Sequence, residues 1–170
     1  MVKRLTLLMD ERKLIQYSDL EKTIIAYSIS WEGLLTLGKK RDERQKSIFI
    51  NVANTEKSLM ENFMKIVRCG RLWVKNPPEG KNFLPVYIWS IHSIKLTKHI
   101  LSQILPYMPS ERKRKVSELI LEYCNIRIKS HENKKDLHSY NQREEEIFLR
   151  IKQLNSAGMG GKGPKVSIAA

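Results

Sequence analysis

The chain has 170 residues, 41% of them hydrophobic and 29% charged. That is enough apolar chain for one domain with a core, and it excludes an intrinsically disordered protein. Lysine and arginine number 31 against 18 acids, a net charge of +13, which makes a polyanion the natural partner.

No apolar run reaches the length of a membrane span, and the N-terminal "MVKRLTLLMDERK" is too short in apolar residues for a signal sequence. Cys69 and Cys124 stand far apart in apolar helical contexts. They read as buried small side chains in a reducing compartment rather than as a disulfide or a zinc site. The protein is expected in the cytoplasm or an organelle and not outside the cell.

Residues 1–18 are expected to form an arm or short helix. "SDLE", Ser18 to Glu21, is a capping box, so a helix starts near Asp19. Leu20, Ile24, Ile25, Ile29 and Trp31 cover most of its circumference, which predicts burial on more than one side. Leu35 and Leu37 alternate with Thr36, Gly38 and Lys40 as a half-buried strand. "RDERQK" is a charged turn. "SIFINVAN" is a second strand, with Ile48, Ile50 and Val52 on one face and Phe49, Asn51 and Ala53 on the other. Thr55 is expected to cap the helix "EKSLMENFMKIVRC", and Gly70 to close it.

The pattern then repeats. "RLWVK" puts Arg71, Trp73 and Lys75 on one face, "NPPEGKN" turns, and "PVYIWSIH" is a fourth strand. There Tyr87 and Trp89 read as core, opposite Ile88 and Ser90. Ser93 opens a helix to about Tyr107, and "MPSERKRK" breaks it. Ser110 caps a further helix to about Lys129. Residues 130–155 form a polar linker and a last helix, and residues 156–170 a glycine-rich flexible tail. The domain proper is expected over residues 19–129. It is an α+β fold in which a four-stranded antiparallel sheet carries helices on one face and presents a basic, polar face on the other.

Ile25 to Gly33, "IAYSISWEG", resembles the LAGLIDADG motif, with Glu32 at its final acidic position and Gly33 as its closing glycine. The αββαββα(α) order is that of LAGLIDADG homing endonucleases with a saddle-shaped sheet. "ILSQILPYMPSERKRK" is similar to the family's third helix, its Pro-aromatic break and the basic start of the next helix. The single motif, the length and the basicity resemble homodimeric enzymes encoded by archaeal ribosomal-RNA introns.

The resemblance implies a sequence-specific endonuclease that makes metal-dependent double-strand breaks at a near-palindromic DNA site. One motif per chain supplies one acid, so two chains meet at a two-fold axis. Glu32, with Gly33, is then the metal site. Mg²⁺ is the expected ion, Mn²⁺ can substitute, and Ca²⁺ binds without supporting cleavage. Asn54 ends the second strand, where the family places a polar residue near the attacking water; it serves equally as a helix cap. Lys113 or its neighbour Arg112 stands where the family has a basic residue at the scissile phosphate.

The DNA-contacting set is Thr36, Gly38, Lys40, Asn51, Arg71, Trp73, Lys75, Ser90 and Arg112, with Trp73 suited to a sugar or a thymine methyl. The subunit contact falls on Ala26, Tyr27, Ser30 and Trp31. Two of these, Tyr27 and Trp31, are large where the family has small residues, and Ser30 stands where it often has an acid. Those departures motivate an alternative in another class, a non-catalytic nucleic-acid binder such as an RNA maturase or a regulator.

His92 and His99, and His131 and His138, lack metal-ligand spacing and read as surface or structural. "GMGGKGPK" mimics a phosphate loop but has Pro164 where the lysine is needed. Glu144 to Glu146 read as a solvated face or as partners of the helix dipole.

Overall fold

A computed structural model describes residues 5–7, 14–39, 46–132 and 141–157. The elements in order are β1 (Leu5–Leu7), α1 (Asp19–Glu32), β2 (Gly33–Lys39), β3 (Lys46–Asn54), α2 (Lys57–Val67), β4 (Gly70–Lys75), β5 (Val86–Ile91), α3 (Ile94–Ile104), α4 (Glu111–Glu132) and α5 (Gln142–Ser156). The expected αββαββα order is present, and so is the four-stranded antiparallel sheet. Where the first residues were expected to be an arm or helix, β1 adds a fifth strand at the β4 edge, giving the order β1-β4-β5-β3-β2.

The helices pack on one face of this sheet. Leu35, Ile50, Val52, Trp89 and Ile91 point up into a core shared with Ile25, Ile29, Phe63, Leu101 and Ile120. Trp89 is the largest side chain in it; its indole N–H donates to the Cys69 carbonyl at 2.7 Å, which satisfies its one donor. Both cysteines are buried and free, and burial raises the Cys69 thiol to about 11 and the Cys124 thiol to about 12.

Ser18 caps α1 as expected, with both halves of the capping box formed. Three boundaries differ from the sequence reading. Glu56, not Thr55, is the N-cap of α2, because the Asn54 side chain already accepts from the Glu56 N–H at 2.9 Å. Arg68, not Gly70, takes the left-handed turn after α2, held by an ion pair to Glu21 at 3.0 Å. Gly70 instead opens β4 with φ +89, and a Cβ there would lie 2.4 Å from the Trp89 indole nitrogen. Pro106 tightens the end of the third helix, so Leu105–Tyr107 form a single 3-10 turn.

Two helices seal the sheet edge at β2. Lys113 from α4 donates to the Gly33 carbonyl, and Asn155 from α5 donates to the Leu35 carbonyl at 2.9 Å. These are backbone acceptors that an open edge strand would offer to another chain. Among the described residues no helix is long and apolar enough to cross a membrane.

Candidate active site

The motif's two last residues form a junction with no loop: α1 ends at Glu32 and β2 begins at Gly33. Only glycine fits there. A Cβ on Gly33 would stand 2.3 Å from the carbonyl oxygen of Ile29, one turn back in the same helix. The chain can therefore leave the helix directly as a strand, and Glu32 is fixed at the turning point.

The last turn of α1 holds no basic residue. The partial negative charge of a helix C-terminus is thus not neutralised within the turn, and it adds to the exposed Glu32 carboxylate. In a chain of net charge +13 this is a cation-attracting spot.

Asn54 and Glu32 line the same pocket between α1 and α2. The β2–β3 register pairs Gly33 with Val52, so Asn54 lies two residues beyond, on the side of the junction that Glu32 occupies. Lys113 approaches from the other side. The Ser110 cap starts α4 so that Lys113 falls in its first turn, with the ammonium on the Gly33 carbonyl. Lys113 is only 6% exposed, and burial, helped by the neighbouring Arg112 charge, lowers its pKa to about 8. The structure therefore brings Glu32, Gly33, Asn54 and Lys113 around one junction. Arg112 turns away toward α5, 3.4 Å from Asn155, and lies off the sheet's open face.

For a hard divalent cation, the Glu32 carboxylate is a suitable donor. The Gly33 carbonyl accepts from the Lys113 ammonium, which occupies one of its two lone pairs. Among the described residues no three His, Cys, Asp or Glu side chains cluster as a metal cage.

The open face of the sheet carries Thr36, Gly38, Asn51, Arg71, Trp73, Lys75 and Ser90, all on one side as their register requires. Lys40 lies outside the described residues. The face is less polar than expected, because Leu34, Phe49, Ala53, Val86 and Ile88 share it.

On α1, the four residues assigned to subunit contact split into two pairs. Tyr27 is 48% exposed and Trp31 76%, one turn apart on the outward side. Ala26 and Ser30 are buried in the chain's own core and leave no side-chain surface for a second helix. Within the single chain it is the aromatic residues of α1 that face out.

No protein-family model and no curated protein matches the chain. Solved structures do. The archaeal intron-encoded homing endonuclease I-Vdi141I, complexed with DNA, is similar over 87% of this chain and 90% of its own, with 15% identity and a TM-score of 0.60. The homing endonuclease I-CvuI, in complex with its target in the presence of Ca, is similar over 84% and 85%, with 17% identity and a TM-score of 0.58. The LAGLIDADG meganuclease I-AabMI, bound to uncleaved DNA, is similar over 77% of this chain and 43% of its own, with 16% identity and a TM-score of 0.54.

The chain has the LAGLIDADG endonuclease fold.

Around the edges of that LAGLIDADG fold lie polar residues that the sequence reading missed. Glu144, read as solvated, is buried against Arg127 at 3.4 Å, and Glu145 pairs with Lys46 at 2.6 Å. An acid run gives no hint of burial until the partner helix is known; the apolar Ile147, Phe148 and Ile151 on the same face were the available signal. Phe49 meets His92 edge-on, with ring centroids 5.2 Å apart, at the far end of the open face. His99 is structural, 2.5 Å from the Ile15 carbonyl. His138 and the glycine-rich motif near Pro164 lie outside the described residues.

Proposed function

We propose that the protein is a homodimeric, divalent-metal-dependent, sequence-specific DNA endonuclease of the LAGLIDADG homing type. The observation that carries this reading is the convergence of Glu32, Asn54 and Lys113 on the α1–β2 junction, next to a sheet face that bears Arg71 and Lys75. The solved neighbours bound to DNA support the same reading.

In this mechanism Glu32 from each chain would hold a divalent ion, Mg²⁺ by preference, with Mn²⁺ as a substitute and Ca²⁺ bound without cutting. When bound, the ion supplies an activated water and stabilises the leaving 3′ oxygen. Asn54 orients the water by its amide. Lys113 presents its ammonium to the scissile phosphate after release from the Gly33 carbonyl. Tyr27 and Trp31 of each chain bury against the partner helix, which brings the two acids to the two-fold axis.

The test is cleavage of a plasmid library of randomised near-palindromic sites, in Mg²⁺ and in Ca²⁺. Cutting of one site in Mg²⁺ alone is expected. Glu32→Gln should lower cutting by at least about a thousandfold while binding in Ca²⁺ changes little, because the electrostatic loss falls on the reaction. Retained cutting by that variant rules out the site.

A second reading is favoured by one observation, the Lys113 ammonium on the Gly33 carbonyl. It describes a scaffold kept for binding, as in an RNA maturase or a regulator. That reading predicts enrichment of one nucleic acid with no cutting in either ion.

A further inference from the structure

The register of the open face sorts its side chains into rows. Arg71 pairs with Ser90, and Ser90 with Asn51, so these three lie side by side across β4, β5 and β3. Asn51 Oδ1 is buried and has no hydrogen-bond partner among the described residues. The next row on the same face is Trp73, Ile88 and Ala53, paired in the same way. It contains no polar side chain apart from the Trp73 indole N–H. Trp73 is 37% exposed, and Ile88 and Ala53 are partly so, although they face away from the core.

Alternate residues in a strand are about 6.7 Å apart, and neighbouring strands about 4.8 Å. Three strands thus span about 10 Å, within the roughly 12 Å width of a major groove. The two rows are separated by about two base-pair steps of 3.4 Å. The polar row offers the guanidinium donors of the exposed Arg71, backed by Ser90 and the Asn51 Oδ1, which are buried. The apolar row offers no guanidinium; what it can recognise in a groove is the thymine 5-methyl group.

We propose that the open face reads each half-site in two registers. In the Arg71–Ser90–Asn51 row, the exposed Arg71 guanidinium takes a base pair by hydrogen bonds. About two steps nearer the α1–β2 junction, the Trp73–Ile88–Ala53 row selects thymine by its methyl group. This rests on the DNA-reading function proposed above.

The experiment starts from the site selected by the library and replaces thymine by uracil one position at a time, with affinity measured in Ca²⁺. Uracil keeps the base pairing and removes only the methyl, and the protein is untouched. Affinity is expected to fall about fourfold at one or two adjacent positions per half-site, the loss for one buried methyl group. In Trp73→Ala and Ile88→Ala the thymine-to-uracil difference at those positions should vanish, while positions two steps outward keep their preference.

Uracil tolerated at every position overturns the inference and leaves the endonuclease reading intact. A methyl effect unchanged in both variants overturns the assignment to this row. Failure to select any preferred site overturns the DNA-reading function itself, and this inference with it.

Discussion

Lys113 is held where an ammonium group is poorly solvated. Among the described residues it has a carbonyl partner in Gly33 but no carboxylate partner, and burial lowers its pKa to about 8. A buried cation without a counter-charge destabilises the folded state. Lys113→Met should therefore raise the thermal midpoint of the isolated protein at pH 7 by a few degrees, about 1 kcal/mol after the lost hydrogen bond is counted. The same variant should lose most cutting activity. Calorimetry paired with a cleavage assay checks both; a lower midpoint would show that the Gly33 contact matters more to the fold than the burial of charge.

At the scale of elements, the α1–β2 junction makes the strongest prediction. Gly33→Ala sets a methyl 2.3 Å from the Ile29 carbonyl oxygen; the methyl is fixed by its Cα and the oxygen is backbone, so neither can rotate away. The variant should lose about 3 kcal/mol in denaturant unfolding. A loss below about 1 kcal/mol would show that the helix end gives way.

The order of elements was legible because hydrophobic period changes from helical to alternating at each boundary. Ser18, Ser93 and Ser110 marked helix starts by capping chemistry. The faces of the earlier strands followed from alternation, with Asn51 on the open side; in the fourth strand both faces are apolar, so alternation left the core placement of Trp89 ambiguous. Two kinds of feature were hidden. The helix end at Arg68 was set by a tertiary partner, Glu21, that no local pattern names, and the start of α2 shifted by one residue because the local Asn54 side chain accepts from the Glu56 N–H. Burial of Glu144 and Lys113 depends on which helix packs beside them. The inward direction of Ala26 and Ser30 was hidden for the same reason, since an all-round apolar helix does not say which side meets its own core.

At the scale of the whole molecule, Tyr27 and Trp31 leave an aromatic strip on the outward side of α1. Trp31→Glu should turn a dimer into a monomer in light scattering, with affinity for the full site reduced at least about a hundredfold. A dimer that survives this change would place the interface elsewhere. The net charge of +13 predicts steep salt dependence on DNA, about 0.9 log units of affinity per log unit of salt for each phosphate neutralised. A slope near zero in a titration from 50 to 200 mM salt would contradict a phosphate-tracking surface.

The absence of a loop between α1 and β2 has a mechanical consequence. A hinge would let two joined bodies move independently; here the last helical residue and the first strand residue share one peptide bond, and Lys113 and Asn155 clamp the strand's free edge. Any tilt of α1 is therefore transmitted to the sheet as a lever transmits rotation. In the proposed dimer, with α1 as the subunit contact, the angle between two helices would fix the phase between two half-sites. A substitution there, far from any base, would shift the spacing of the preferred sequence rather than its letters.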